Sequence, residues 1–261
     1  MPQKIYQVDA FTDKVFSRNP AAVCPLTEWL SDELLQNIAM ENNLAETAFY
    51  VATDTGFHIR WFTPKAEVNL CGHATLATAF VLFNVLGYEQ QMIRFQSRSG
   101  ELTVTKKGDW FTLNFPTDTI EQIPITDAFL SCFDKKPEKI FRGKDDYLFI
   151  YGSQFDIETI QPDFAQIARF DKRGIIITAA GTTTDFVSRY FAPAFGINED
   201  PVTGSAHTTL TPYWTQQLNK TELTALQLSE RTGYLQCTYL NTRTEISGQA
   251  KLYLTGEIYI N

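Results

Sequence analysis

The sequence lacks the features that mark several specialised classes of protein. Its four cysteines stand at positions 24, 71, 132 and 237, with no Cys-x-x-Cys pair among the 261 residues. This spacing excludes a disulfide scaffold and a zinc ribbon and favours a reduced, cytoplasmic protein. The N-terminus has no apolar region typical of a secretory signal, and the longest apolar stretch, 74–83, is too short to cross a bilayer. We therefore expect no contact with membranes.

Positive charge is also scarce. Lys and Arg number 22 against 30 Asp and Glu, a net charge of −8, and no basic run exceeds two residues. Such a surface repels phosphate backbones, which excludes nucleic acid as an expected partner. By contrast, 44% of the residues are hydrophobic and 13% are aromatic. A chain of this composition and length buries a sizeable core in one or two domains.

The same order of predicted elements occurs twice along the chain. Period-2 patterns and turn residues predict strands at 4–11, 47–53 and 57–62, and again at 147–151, 174–180 and 185–191. The motif Arg60-Trp-Phe-Thr-Pro matches Arg189-Tyr-Phe-Ala-Pro, and a glycine, Gly72 or Gly204, follows each copy. The repeat spans about half of the chain, so we predict a duplication with halves 1–116 and 117–261. The last strand is allowed to pack back on the N-terminal half.

Gly72 and Gly204 each stand where a predicted helix opens. Helix N-termini offer backbone N–H groups and a positive dipole end, which suit a carboxylate or an oxyanion. Two such termini across a cleft between the halves would hold one small anion. The alternative is that both glycines serve only as turns. The helix after Gly72 is apolar all round and is predicted to be enclosed, whereas Pro212 is predicted to kink the second helix or limit it to one turn.

Several side chains near these glycines carry possible chemistry. Glu46 lies at the edge of an apolar strand and is a candidate acid/base, although a solvated helix-end carboxylate fits its position equally well. Aligning the halves places Arg173 opposite Glu46, which disfavours a symmetric two-base mechanism. His73 and His207 are two of three histidines and are candidates for orienting or protonating a ligand. Their spacing with Cys71 matches no common metal site.

The segment Asn198-Glu-Asp-Pro-Val-Thr-Gly-Ser brings two more candidates close to Gly204. Asp200 precedes a proline, which favours an extended or turn conformation and aims the carboxylate at an amine or at His73. A plain turn aspartate is the alternative. Ser205 lacks the Gly-x-Ser-x-Gly pattern of serine hydrolases, and no phosphate-binding glycine loop is present.

Together these segments resemble one known family. Asp9-Ala-Phe, Asn19-Pro-Ala-Ala-Val, Leu44-Ala-Glu-Thr-Ala-Phe, Leu70-Cys-Gly-His-Ala and Glu199-Asp-Pro-Val-Thr-Gly-Ser-Ala-His are similar to the PhzF family of phenazine biosynthesis-like isomerases. The resemblance runs from about residue 5 to residue 214. It implies an α+β, diaminopimelate epimerase-like fold: two duplicated domains, each a β-barrel-like sheet around a central helix, with the site between them. It also implies a homodimer.

The resemblance assigns roles to residues of this sequence. Glu46 matches the acid/base that moves a proton between two carbons without a metal or an organic cofactor. Gly72, His73, Asp200, Gly204 and Ser205 match residues that bind the substrate. Epimerases of the same fold use two cysteines, but here Thr203 replaces the second, and Arg18 stands where the family commonly has glycine.

We therefore expect an isomerase acting on a small carboxylate, an amino or hydroxy acid. Two alternatives stay open: an amino-acid epimerase that uses Cys71, and a non-catalytic protein that binds small anions.

Overall fold

A computed structural model describes residues 2–16 and 19–260, so Arg18 lies outside the described residues. The chain divides into two compact units. The first comprises residues 1–115 together with 247–261, and the second comprises residues 116–246. Both combine a mixed β-sheet with few helices, and the first unit includes the C-terminal strand.

The first unit consists mainly of strands, and one helix lies in each of the two connections between parallel strands. Its strands are β1 (Pro2–Ala10), β2 (Asn19–Leu26), β3 (Glu46–Thr53), β4 (Gly56–Phe62), β5 (Glu67–Val68), β6 (Met92–Ser97), β7 (Gly100–Lys107) and β8 (Trp110–Pro116). Its helices are α1 (Asp32–Asn42) and α2 (Gly72–Phe80), the latter extended by a π-helical turn, Val81–Val85. Ser31 caps α1 by accepting the Leu34 N–H at 3.3 Å, as expected of a serine just before a helix with acidic residues in its first turn.

The second unit contains shorter helices and a similar number of strands. Its strands are β9 (Glu121–Ile123), β10 (Lys139–Arg142), β11 (Asp146–Ile150), β12 (Gly174–Ala180), β13 (Phe186–Phe191), β14 (Glu222–Gln227) and β15 (Gly233–Leu240). Strand β16 (Arg243–Gly248) follows, and β17 (Ala250–Tyr259) belongs to the first unit. The helices of the second unit are α3 (Asp127–Leu130), α4 (Gln154–Thr159), α5 (Phe164–Ile167) and α6 (His207–Leu218), and a 3₁₀ turn covers Pro193–Phe195.

The two units repeat one pattern of strand pairing. In the first, β1–β2, β3–β4 and β6–β7 pair antiparallel, and β2–β3 and β4–β6 pair parallel. In the second, β10–β11, β12–β13 and β14–β15 pair antiparallel, and β11–β12 and β13–β14 pair parallel. A parallel pair needs a crossover long enough for a helix. Helices α2 and α6 therefore occupy equivalent crossovers.

Helix α2 is enclosed on every side, as its sequence predicts. All nine of its residues are buried. Its two threonines satisfy their hydroxyls within the helix, Thr75 donating to the Cys71 carbonyl at 2.5 Å and Thr78 to the Ala74 carbonyl at 2.7 Å. A polar side chain in an apolar core needs such a partner, because an unsatisfied hydroxyl costs free energy. The N-terminus of α2 therefore belongs to a helix that is packed on all sides.

Helix α6 continues through Pro212 rather than ending after one turn. A proline inside a helix leaves the carbonyl four residues earlier without its usual N–H partner. That carbonyl belongs to Thr208, and it accepts the backbone N–H of Asp118 at 3.2 Å. The Asp118 carboxylate also accepts the Thr209 hydroxyl at 2.8 Å. A neighbouring segment therefore replaces the lost hydrogen bond. Within the described chain, no helix is both long and apolar enough to span a membrane.

Candidate active site

Glu46 and His73 form a buried pair in the first unit. Glu46 is the first residue of β3 and is 9% exposed, whereas His73 is the second residue of α2 and is 3% exposed. Glu46 Oε2 lies 3.1 Å from His73 Nε2. The start of a strand and the start of a helix thus bring an acid and an imidazole together. This is ion-pair distance, although the two atoms are not aligned for a hydrogen bond. Catalytic contacts of this kind commonly tighten when a substrate binds, and a small rotation of either side chain would let the pair share a proton.

The other ring nitrogen of His73 faces two different groups. Asn19 Nδ2 lies 3.3 Å from His73 Nδ1, and Cys71 Sγ lies 3.4 Å from the same atom. Burial lowers the pKa of His73, but the adjacent Cys71 and Glu46 side chains outweigh it, so this pKa lies well above its ordinary value. Burial, followed by the charge of Glu46, raises the pKa of Cys71. The thiol is therefore protonated at neutral pH.

Glu46, Cys71 and His73 are also the described residues whose ligand atoms are close enough to surround a metal ion, lying within 4.8 Å of one another. However, the thiol faces Nδ1 of the ring and the carboxylate faces Nε2. One ion binds only one imidazole nitrogen. The positions of these side chains therefore suit a chain of polar contacts through the ring better than a coordination shell.

Gly72 begins α2 directly beside this pair. The first hydrogen bond of the helix runs from the Thr75 N–H to the Cys71 carbonyl at 3.2 Å. The N–H groups of Gly72 and His73 thus precede the hydrogen-bonded ladder, where helix N-termini attract anions. Cys71 is in an extended conformation, with φ −141° and ψ 110°, and turns the chain into the helix.

In the second unit, one network holds the loop that carries Asp200. The Thr203 hydroxyl donates to Asp200 Oδ2 at 2.5 Å. Gln227, at the end of β14, accepts the Thr203 backbone N–H at 2.8 Å and donates to the Asp200 carbonyl at 2.8 Å. Asp200 is 8% exposed and Gln227 is 1% exposed. Both ends of the segment 200–203 are therefore anchored to a single amide side chain.

Gly204 does not open a helix directly. Helix α6 begins at His207, and a tight turn precedes it, in which the His207 N–H donates to the Gly204 carbonyl at 3.0 Å. Ser205 is half-buried within this turn, and its carbonyl accepts both the N–H and the hydroxyl of Thr208. The predicted helix terminus at Gly204 is thus wrong by three residues. The reason is that 3₁₀-type bonds tighten the first turn.

His207 has different partners from His73, and its pKa is shifted in the opposite direction. Its Nδ1 donates to the Thr203 carbonyl at 2.9 Å, and its Nε2 is buried without a hydrogen-bond partner. Burial lowers its pKa to about 4. His207 is therefore neutral at physiological pH, and it secures the Thr203–Gly204 turn rather than exchanging protons.

The second unit has no counterpart of Glu46, although the counterpart is not the residue expected from the sequence. Thr47 pairs with Phe62 on β4, and Ile175 pairs with Phe191 on β13. Because Phe62 and Phe191 are equivalent in the repeated motif, the position equivalent to Glu46 is Gly174, not Arg173. A Cβ on Gly174 would lie 2.6 Å from both the Tyr190 hydroxyl and the Phe191 carbonyl. No side chain fits there.

Two buried polar residues of these networks were not identified from the sequence. Asn19 stands in one of the motifs that resemble the family, but it was given no role. It begins β2, and its partner His73 lies 54 residues away, so no local pattern indicates the contact. For Gln227, the sequence does contain an indication of an internal partner. In β14 the buried positions alternate as Leu223, Ala225 and Gln227, and a polar residue in the inward phase of a strand requires an internal partner.

Comparisons with known proteins agree with this fold. The family described as phenazine biosynthesis-like protein matches residues 8–256. An uncharacterized isomerase of Pseudomonas aeruginosa is 48% identical over 260 residues, covering 100% of each chain. The crystal structure of a PhzF-family phenazine biosynthesis protein from Enterococcus faecalis is 46% identical, with a TM-score of 0.95 and complete coverage of both chains.

More distant likeness concerns the fold alone. A hydroxyproline epimerase from Agrobacterium vitis has a TM-score of 0.64 at 8% identity, covering 98% of this chain and 92% of the epimerase. The expected family and the α+β, epimerase-like fold class are confirmed. This chain belongs to the PhzF family of phenazine biosynthesis-like isomerases.

Proposed function

We propose that this isomerase moves a proton between two carbon atoms of a small amino or hydroxy carboxylic acid, with Glu46 as the acid/base. The Glu46 carboxylate takes a proton from one carbon and becomes a carboxylic acid. The substrate must contain a carbon–carbon double bond next to the carbon that loses the proton. The electron pair left by the proton forms a new double bond at that carbon, the original double bond opens, and the acid returns the proton to the far carbon of the original bond, so that atoms and charge balance without an oxidant or a reductant. No metal or organic cofactor takes part in this scheme.

The observation that carries the proposal is the buried Glu46–His73 pair, with 3.1 Å between Oε2 and Nε2. A shared proton lets the carboxylate change its protonation state without leaving an unpaired charge in a poorly solvated site. Gly174 supports a single base, because its position in the second unit has no room for a carboxylate. A two-base racemase would need a second group of comparable reactivity.

We further propose that the substrate carboxylate binds at the N-terminus of α2, near the N–H groups of Gly72 and His73. His73 would orient a polar group of the substrate while it shares the proton of Glu46. Asp200 would bind an amine, and Gly204 and Ser205 would supply backbone and hydroxyl hydrogen bonds. The Thr203–Gln227 network supports this assignment, since it holds the Asp200 carboxylate in a defined place.

The test is hydrogen exchange on carbon. Wild type and Glu46→Gln are incubated in D₂O with a panel of amino and hydroxy carboxylic acids, and C–H signals are followed by NMR. We expect deuterium incorporation or double-bond migration with wild type and a loss of at least about 100-fold in the variant, typical for removal of an acid/base. Glu101→Gln, an exposed carboxylate paired with Arg94, is the matched control and keeps wild-type activity.

The same experiment separates the other functions. Exchange that survives Glu46→Gln but disappears in Cys71→Ser would contradict the proposal in favour of an epimerase using the thiol. Carboxylates that raise the melting temperature without any exchange would indicate a protein that only binds anions. The buried position of Cys71 and its raised pKa weigh against a thiolate base in the resting protein.

We also propose that the chain forms a homodimer in the cytoplasm. Its first unit exposes an apolar pair, Phe16 at 77% and Tyr253 at 47%, whose rings meet edge to face at 5.6 Å. Exposed aromatic groups of this kind are enriched where protein surfaces associate.

A further inference from the structure

We propose that Asn19 is a positioning residue that sets the protonation state of His73 and, through His73, the readiness of Glu46 to accept a proton. The inference concerns the proposed acid/base site and relies on the proposed function only for its catalytic consequence. What it states directly is that the Asn19 amide influences the protonation of the His73 imidazole, and this influence can be measured in the ligand-free protein.

Three elements bring the groups together. Asn19 begins β2 and is fully buried, opposite Ala10 on β1. Its amide nitrogen lies 3.3 Å from His73 Nδ1, while Glu46 from β3 lies 3.1 Å from Nε2 on the other side of the ring. Since β2 and β3 pair in parallel, with Ala21 opposite Glu46, the strand register fixes both groups around the imidazole. Any change at Nδ1 is therefore transmitted through the ring to Glu46.

An amide suits this position because it offers a donor and an acceptor of nearly the same shape. With its nitrogen towards the ring, Asn19 donates to Nδ1 of a neutral imidazole whose proton lies on Nε2. Turned by half a rotation, the same amide presents its oxygen and accepts the Nδ1–H of an imidazolium. Asn19 thus has a hydrogen bond for each state that His73 adopts while Glu46 gains and loses its proton.

The other polar groups named here cannot both donate a hydrogen bond to His73 Nδ1 and accept one from it while staying uncharged. Cys71, from the start of the same helix, is a weak thiol donor at 3.4 Å, and its raised pKa keeps it protonated. Glu46 from β3 acts on Nε2. On β1, the buried Asp9 accepts the Phe16 N–H at 2.9 Å. Among these groups, the amide of Asn19 is the one that matches both states of Nδ1 without carrying a charge.

Two substitutions of similar size push the equilibrium in opposite directions. Asn19→Asp offers only acceptors and adds a negative charge, so it holds the proton on Nδ1 and raises the pH midpoint of His73. Asn19→Leu removes both hydrogen bonds from a buried site and lowers the midpoint. We expect each shift to be about one pH unit or more, the range typical of a neighbouring charge or hydrogen bond. Asn19→Ser, which can donate and accept, is expected to stay near wild type.

The measurement is a ¹⁵N NMR titration of the three histidines in the ligand-free protein. His207 provides an internal reference, because its Nδ1–H is committed to the Thr203 carbonyl. His58, which packs edge to face on Trp29 at 5.0 Å, is assigned with a His58→Asn variant. Unchanged His207 signals in each variant show that the fold is preserved.

Opposite shifts of the His73 midpoint in Asn19→Asp and Asn19→Leu, with Asn19→Ser close to wild type, are the expected result. Midpoints that all coincide with wild type, or that move in the same direction, would overturn the inference, since a merely structural role cannot produce opposed shifts. If Asn19→Asp does not fold, the contrast between Asn19→Leu and Asn19→Ser decides. Deuterium exchange independent of Glu46 would refute the proposed function while leaving this titration result intact.

Discussion

At the scale of single residues, the protein shows how burial and partners give one residue type two kinds of chemistry. His73 and His207 are both buried near the start of equivalent helices. A carboxylate and a thiol raise the pKa of the first, whereas burial with a single carbonyl partner lowers the pKa of the second. The first therefore suits proton sharing, and the second is a neutral structural group.

The lowered pKa of His207 predicts a pH dependence of stability. Its pKa falls from 6.5 in the unfolded chain to about 4 in the folded protein, so between these values the unfolded state binds a proton that the folded state does not. Stability is therefore lost as the pH falls from 6.5 towards 4, by up to roughly 3 kcal/mol at about 1.4 kcal/mol per pKa unit.

Urea unfolding of wild type and His207→Asn from pH 7 to pH 4 measures this contribution. Asparagine keeps a donor for the Thr203 carbonyl but does not titrate, so its free energy of unfolding should fall less steeply. Parallel pH profiles for the two proteins would show that His207 does not contribute.

At the scale of secondary-structure elements, strand register decides where reactive groups lie. An offset of one residue moves a side chain to the opposite face of a sheet. The repeated motifs suggested Arg173 as the counterpart of Glu46, but the pairing of β12 with β13 assigns that position to Gly174. Arg173 instead binds the buried Asp146 carboxylate, with Nε 3.1 Å from Oδ1.

The close packing over Gly174 predicts a steric penalty. Gly174→Ala would bring a Cβ to 2.6 Å from the Phe191 carbonyl and the Tyr190 hydroxyl, and overpacking of this kind costs about 1–3 kcal/mol. Gly256→Ala in β17 is the matched control, because its nearest contacts would be at 3.5 Å and 3.6 Å. Denaturant unfolding should show a clear loss for the first variant and almost none for the second. Equal stabilities would refute the packing argument.

At the scale of the whole molecule, a single topology is used twice with different chemical content. Both units have the same order of parallel and antiparallel pairs. In each, an arginine of the repeated motif forms a two-pronged ion pair, Arg60 with Glu67 and Arg189 with Glu199. Both units keep this ion pair, but only the first unit has an acid, Glu46, at the start of the strand that precedes the repeated motif.

The proposed homodimer makes a prediction at this scale. Replacing Phe16 and Tyr253 together with serine should shift wild-type dimers towards monomers in sedimentation velocity, because the exposed aromatic pair would no longer be buried between subunits. Phe155→Ser is the control, since Phe155 is also 67% exposed but contacts Lys135 in the second unit. A monomeric wild type at micromolar concentration would contradict the dimer. A dimer unaffected by the double substitution would place its interface elsewhere.

By itself, the sequence determined the features that depend on local periodicity and on repeated motifs. The strands before both glycine motifs, the start of α1 at Ser31 and the enclosure of α2 follow from patterns of apolar residues and caps, and the motifs identified the family. Such features arise within one element, so neighbouring residues carry the information.

Only the tertiary structure decided which polar groups meet. Asn19 and His73 are 54 residues apart, the Thr208 carbonyl left free by Pro212 finds Asp118, and Gly174 rather than Arg173 matches Glu46. These relations depend on strand register and on hydrogen bonds between distant segments. Local propensity does not encode them, because a buried donor or acceptor requires a partner but does not specify where in the chain that partner lies.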